Sequence, residues 1–188
     1  LPNISKLEKE TIHIKNLNFK ISPDEKDFFK NFDNLLEVSN IRFNLSAGHS
    51  IVFNKQNLRS EEYKIKIKKD SILIEYSDYG GKFYSIITLI QLINFYNTNL
   101  PLGLIEDRPA LNWRGMHLDC ARQFYTIDEI KRLINYMCFF KINRFHWHLT
   151  DNEAWRVELE CYPNLTKVGA FRGYNHTIPP FYGTGYNK

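Results

Sequence analysis

Two stretches decide the fold: Trp113-Arg114-Gly115-Met116-His117-Leu118-Asp119 and Asn143-Arg144-Phe145-His146-Trp147-His148-Leu149. Each reads as a strand. Between them, Thr126 with Glu129 three residues on is a capping box that opens a helix, because each side chain satisfies a backbone N–H left free by the first turn. Ile127, Ile130, Ile134, Met137 and Phe140 recur at helical spacing and predict its inner stripe. Strand, helix and strand at this spacing form a βαβ unit, whose strands run parallel with a right-handed crossover. After Asp151 the chain is rich in Pro, Gly and aromatics as far as Lys188, and no further helix is predicted there.

Upstream the rhythm differs. Residues 11–21 alternate apolar and polar, which predicts one strand. Ser22-Pro23 supplies a helix cap and a first-turn proline, and Phe28, Phe32, Leu35 and Leu36 follow at helical spacing. Ile41 with Phe43, and Ile51 to Phe53, predict two short strands. Tyr63, Ile65, Ile67 and Ile72, Ile74, Tyr76 predict a hairpin turning at Lys69-Asp70. Gly80-Gly81 ends that strand, and Phe83, Ile86, Ile87, Ile90 and Ile93 predict one face of a helix. This portion therefore reads as an antiparallel sheet with helices on one face. Residues 98–111, with Pro101, Gly103, Glu106, Asp107 and Pro109, read as a linker between domains. The expectation is an α/β chain with a small α+β domain over 1–108 and a second domain from 109 to 188.

Composition narrows the function classes. The 188 residues are 43% hydrophobic and 24% charged, enough apolar material for a core and too much for wholesale disorder. The net charge of +4 is spread over both halves, so the chain carries no basic patch of the kind that binds nucleic acid. Lys64, Lys66, Lys68 and Lys69 cluster, but their alternation fits the wet face of a strand. The most apolar run, Phe83 to Tyr96, is shorter than the roughly 20 residues a membrane helix needs. Cys120, Cys138 and Cys161 are odd in number and widely spaced, so they read as buried thiols and not as a disulfide framework or zinc site. Residue 1 is Leu, which reads as a processed or excised chain with any targeting segment out of view. Asn3, Asn44, Asn164 and Asn175 head Asn-x-Ser/Thr sequons.

Chemistry in a parallel α/β unit gathers where strands end at their carboxyl edge. Arg122 follows the first strand and Asp151 the second. With strands about 4.8 Å apart, the two can face one small ligand. An arginine fork and a carboxylate give directional donors and acceptors to vicinal hydroxyls; they can equally form an ion pair that staples the strand ends. Asp119, inside a strand, needs a partner, with Arg122 or a histidine the candidates. His146 and His148 point to one face of their strand, as metal ligands or as hydrogen-bonded barrel histidines. Trp147 reads as core. Trp155 and Phe124 are either core residues or platforms for a sugar ring.

The run Trp113 to Phe124 resembles the first barrel strand of glycoside hydrolase family 20, the β-N-acetylhexosaminidases, and Asn143 to Arg156 resembles the second. Tyr162-Pro163-Asn164-Leu165-Thr166 and Gly169-Ala170-Phe171-Arg172-Gly173 continue the pattern in order. Gly81-Lys82-Phe83-Tyr84 with Thr88-Leu89-Ile90-Gln91-Leu92 is similar to the end of the family's small α+β domain. The resemblance covers residues 60–188; for residues 1–60 it rests on position.

The resemblance implies a truncated TIM (β/α)8 barrel after the α+β domain, removal of terminal β-linked N-acetylhexosamine, and no cofactor or metal. It implies that Arg122 and Asp151 bind substrate, with Asp119 and His148 in support. Gln123 stands where the family often has His, and Asn152 where it often has Asp. The family's mechanism is substrate-assisted, with the 2-acetamido oxygen as nucleophile and an Asp-Glu pair from a later strand. No such motif occurs here: Asp24-Glu25, Glu61-Glu62, Glu106-Asp107 and Asp128-Glu129 are the adjacent acidic pairs, and each has a structural reading. A full barrel takes about 250 residues, whereas 109–188 number 80. The expectation is an inactive, poorly soluble amino-terminal portion of a hydrolase, with N-acetylhexosamine-terminated glycans as partners, no nucleic acid and no membrane span. The family implies a secreted, periplasmic or lysosome-like compartment. The alternative is a non-catalytic carbohydrate-binding or scaffold protein derived from that fold, and a further alternative is a metal-dependent hydrolase using His146 and His148.

Overall fold

The computed structural model describes residues 6–33, 35–36 and 41–171, and the chain divides between Asn112 and Trp113 into two units. The sequons at Asn3 and Asn175 and the pair Arg172-Gly173 lie outside the described residues.

The first unit is a seven-stranded sheet. Its strands are β1 (Lys6–His13), β2 (Asn18–Lys20), β3 (Arg42–Asn44), β4 (His49–Lys55), β5 (Tyr63–Ile67), β6 (Ser71–Tyr76) and β7 (Asn99–Asp107), in the order β1-β7-β5-β6-β4-β2-β3. The predicted hairpin forms, with Ile65 opposite Ile74. Tyr63, Ile65, Ile67, Ile72 and Ile74 are buried on one face. Lys64, Lys66 and Lys69 reach Glu106, Glu75 and Glu10 at 2.5, 2.9 and 2.7 Å, so these lysines lie in a laced ionic surface.

The sheet is mixed, not wholly antiparallel as expected. β5 turns back on the far side of β6, so β6 lies beside β4 and runs the same way; β2 is likewise parallel to β3 and β4. The single strand expected over 11–21 is two, broken by a 3-10 turn at Lys15–Leu17 in which Leu17 takes a φ of 49°. The buried parity switches across the break, from Ile12 and Ile14 before it to Leu17, Phe19 and Ile21 after it, because the turn adds an odd step to the chain.

Most of the expected linker is strand β7, between β1 and β5. Proline has no N–H for a ladder and is usually confined to edges. Pro101 is tolerated because β5 pairs with β7 only from Gly103 onward, leaving a single neighbour at Pro101.

Short helical turns over Pro23–Phe32 include α1 (Lys26–Phe29), with Phe29 and Phe32 buried. Ser22 takes the cap position, but its side chain makes no capping bond. Helix α2 (Tyr79–Tyr96) packs on β5, β6 and β7. Gly80 and Gly81 open this helix and do not merely end β6. Asp78 caps it by accepting the Gly81 N–H at 2.8 Å, and a Cβ on Gly81 would sit 2.6 Å from the Glu62 carbonyl oxygen. No helix among the described residues is long and apolar enough to cross a membrane.

The second unit holds β8 (Gly115–Asp119), α3 (Ile127–Phe139) and β9 (Arg144–His148). The strands are parallel, in register from Gly115 opposite Arg144 to Asp119 opposite His148. The capping box is formed: Glu129 N–H donates to Thr126 Oγ1 at 3.3 Å, and Thr126 N–H donates to Glu129 Oε2 at 2.7 Å. Of the expected stripe, only Ile130 and Met137 are buried; Ile127, Ile134 and Phe140 are exposed. Two strands about 4.8 Å apart cover only a line along a helix about 10 Å wide. A one-turn helix, α4 (Asn164–Lys167), stands where no helix was expected, too short to give a periodic signal. Only Cys120 is a buried thiol, since Cys138 is half-buried and Cys161 exposed.

Candidate active site at the carboxyl ends of β8 and β9

Asp119 ends β8 and turns the chain that follows. Its Oδ1 accepts the N–H groups of Ala121 at 2.9 Å and Arg122 at 3.1 Å. That turn carries Arg122 over the end of the sheet, where Nη1 lies 3.1 Å from Asp119 Oδ2 and 2.8 Å from Asp151 Oδ2. His148, the last residue of β9, reaches the same Asp151 oxygen with Nε2 at 3.1 Å. The structure thus brings all four expected site residues, Asp119, Arg122, His148 and Asp151, into one cluster.

A third carboxylate, absent from the sequence-based expectation, completes it: Glu153 Oε2 lies 3.2 Å from Arg122 Nε. A tight loop returns it to the cluster. Asp151 N–H donates to the Ala154 carbonyl at 3.0 Å, and Thr150 bridges to Trp155. The only signal for it in the sequence is its spacing of two from Asp151. The contacts of Arg122 run through Nη1 and Nε.

Three carboxylates around one guanidinium make the cluster acidic. Burial would raise the Asp119 carboxyl, but the N–H groups of Arg122 and Ala121 and the nearby Arg122 and His148 charges hold it below the usual carboxylate range. The Asn152 N–H, at 2.7 Å, does most to lower Asp151, with Arg122 and His148 adding to it against the cost of burial. Burial disfavours the Arg122 charge, and the three carboxylates more than restore it.

His117 and His146 stand opposite each other in register on the face that carries Asp119 and His148, their ring centres 4.5 Å apart. No three His, Cys, Asp or Glu side chains among the described residues converge as metal ligands. Trp147 is not core: it is 43% exposed, stacked on Phe145 at 5.9 Å, and donates its indole N–H to Cys120 Sγ at 3.2 Å. Trp155 donates to the Val157 carbonyl and, with Phe124, Arg156 and Phe171, lines a cleft of about 270 Å³.

One member of each adjacent acidic pair is engaged away from this cluster. Glu25 pairs with Lys82, Glu62 accepts the Arg59 N–H, Glu106 pairs with Lys64, and Glu129 belongs to the capping box.

Comparison with known proteins agrees with this architecture. Residues 8–108 match glycosyl hydrolase family 20, domain 2, and residues 111–187 match glycosyl hydrolase family 20, catalytic domain. The chain belongs to glycosyl hydrolase family 20. It is 42% identical over 122 residues to a beta-hexosaminidase of Vibrio furnissii, covering 64% of this chain and 20% of that protein. It is 51% identical over 101 residues to a chitooligosaccharidolytic beta-N-acetylglucosaminidase of Bombyx mori, covering 49% of this chain and 17% of that one. Among solved structures, a family 20 exo-beta-N-acetylglucosaminidase of Vibrio harveyi in complex with N-acetylglucosamine superposes with a TM-score of 0.80 at 32% identity, over 98% of this chain and 31% of that one. The chain spans about a fifth of the length of the curated relatives it matches. Its fold is the family's small α+β domain followed by the opening β-α-β of the catalytic TIM barrel.

Proposed function

We propose that residues 109–188 supply the sugar-gripping opening of a β-N-acetylhexosaminidase barrel, and that residues 1–108 form the domain that precedes it. The observation that carries this reading is Arg122, held through Nη1 and Nε by Asp119, Asp151 and Glu153 at the carboxyl ends of two parallel strands. A guanidinium fixed through Nε and Nη1 presents its remaining donors in one direction, which suits the hydroxyls of a terminal N-acetylhexosamine. Fixing the donor before the ligand arrives removes ordering entropy from the binding step. Asp119 and His148 act on Arg122 and Asp151, which are the residues that meet sugar.

The activity of the whole enzyme would be removal of terminal β-linked N-acetylglucosamine or N-acetylgalactosamine with retention, the acetamido oxygen of the substrate acting as nucleophile. That route needs a carboxylic acid to protonate the leaving oxygen and a carboxylate to orient the acetamido group. No adjacent Asp-Glu pair of this chain stands free for those roles, so the 188-residue polypeptide binds sugar without cleaving it. Calorimetry with N-acetylglucosamine, beside an assay with a nitrophenyl N-acetylglucosaminide, tests both halves. The expected result is binding with no chromophore released. Release above background would overturn the inactive assignment, and absence of binding at millimolar sugar would overturn the grip.

A further inference from the structure

We propose that Arg156 is a positioning residue for Arg122, a second guanidinium that sets the loop on which the sugar-facing one is carried. This rests on the sugar-grip reading for its functional meaning, though not for its structural test. Arg156 Nε donates to the Cys120 carbonyl at 2.9 Å, two residues before Arg122, and its Nη1 donates to the Ala170 carbonyl at 2.6 Å. Its guanidinium lies over the Phe124 ring at 5.4 Å. One side chain therefore ties the loop after β8, the segment after Asp151 and Glu153, and the stretch around Ala170.

The chemistry of this contact is unusual for a cation. Arg156 has no carboxylate partner among the described residues, and burial lowers its pKa. A partly buried charge met only by carbonyls and a ring costs more than an ion pair would. What it provides is geometry: a planar fork reaches two carbonyls at once while stacking on an aromatic face, which an ammonium cannot do.

The residue it grips is fixed from other directions as well. Cys120 N–H donates to the His148 carbonyl at 2.8 Å, and its Sγ accepts from Trp147. Cys120 is 3% exposed. With its N–H, carbonyl and sulfur all engaged, the peptide leading into Ala121 and Arg122 is held from β9 on one side and from Arg156 on the other. Asp119 then needs only to complete the turn. The hydrogen bonds of Arg156 go to the Cys120 and Ala170 carbonyls, so its influence on Arg122 passes through the Cys120 backbone.

The test follows the Arg122 Nε–H resonance by nitrogen NMR in the 188-residue chain, assigned by its disappearance in Arg122→Lys. In Arg156→Ala we expect that N–H to exchange with solvent about tenfold faster, the scale of one hydrogen bond lost from the local opening equilibrium. The β8 and β9 amides should keep their protection. Arg156→Lys, which retains the charge and the stem but not the fork, should fall between the two. Unchanged Arg122 exchange in both variants overturns the proposal. If Arg156→Ala loses its dispersed spectrum, Arg156→Lys decides alone: faster exchange with dispersion intact supports it, and wild-type exchange overturns it. Calorimetry with N-acetylglucosamine on the same samples separates the two readings. A wild-type chain that binds no sugar removes the sugar grip, while the exchange result still decides the role of Arg156.

Discussion

Arg122 Nη1 lies 2.8 Å from Asp151 Oδ2, an ion pair that ties a loop leaving one strand to a loop leaving its parallel neighbour. The geometry depends on a fork, because Nη1 serves Asp119 and Asp151 while Nε serves Glu153. Lysine offers one nitrogen to replace these. Arg122→Lys should therefore weaken N-acetylglucosamine binding by about ten- to a hundredfold, the worth of one hydrogen bond to a charged group. Calorimetry reads the loss, and the capped helix α3 should keep its signal in far-ultraviolet circular dichroism.

Acid should release the grip late. Asp119 and Asp151 both titrate below their usual value of 3.8. A carboxylate whose folded pKa is depressed gives stability that is fully present above its unfolded pKa and is lost as pH falls through the folded one. Sugar binding and the Arg122 N–H protection should therefore be flat from pH 7 to pH 5 as far as these two groups are concerned, and fail below about 3.8. Carbon NMR of the two carboxyl groups checks this, and a midpoint above 4 for either would contradict it.

Much of this site was legible because its contacts are local or follow from strand geometry. Thr126 and Glu129 are three residues apart, and so are Asp119 and Arg122. Arg122 and Asp151 meet because parallel strands deliver their next residues to the same edge. Glu153 was missed because its approach depends on the loop closed by Asp151 and Ala154, and Arg156 because carbonyl partners leave no mark on side-chain patterns. In the first unit, the direction of β4 against β6 was not legible, since alternation reports which face is buried and says nothing of which neighbour is chosen. Pro101 and Gly103 signalled a linker. Only the length of β5 reveals that a proline there costs no ladder bond.

His49, the first residue of β4, should make the sheet sensitive to mild acid. Burial holds its imidazole below the ordinary 6.5, against weaker opposite pulls from Ser71, Lys68 and Asp70 around the hairpin turn. Its Nε2 is buried and has no hydrogen-bond partner. A histidine whose folded pKa is depressed is protonated first in the unfolded chain. Stability is then full above 6.5 and declines as pH falls toward the folded value, at no more than about 1.4 kcal/mol per pH unit for one proton. Hydrogen exchange of the β4 and β6 amides at pH 7.5 and 5.5, corrected for intrinsic rates, should show that decline. His49→Gln should remove it.

Among Gly48, Gly80, Gly81 and Gly103 of the first unit, Gly103 is least able to accept a side chain. Its φ of 137° lies where side chains rarely go, and a Cβ there would stand 2.1 Å from the Lys6 carbonyl oxygen. The clash is with backbone of β1, directly across the ladder where Gly103 faces Leu7, so no side-chain rotation relieves it. The register between β1 and β7 shifts just beyond this pair, between Leu7 and Thr11, which marks the site as an irregularity built around the glycine. Gly103→Ala should therefore cost about 1–3 kcal/mol for the backbone conformation alone, and more if β1 is displaced. The measurement is a pair of urea titrations of the wild-type and variant chains, read by Trp-independent circular dichroism. Because β1 is an edge strand held by β7 only, its amides should lose protection before those of β5 and β6. A variant with wild-type stability and a protected β1 would mean that the strand shifts freely, and that the close approach at Gly103 is not what fixes this edge.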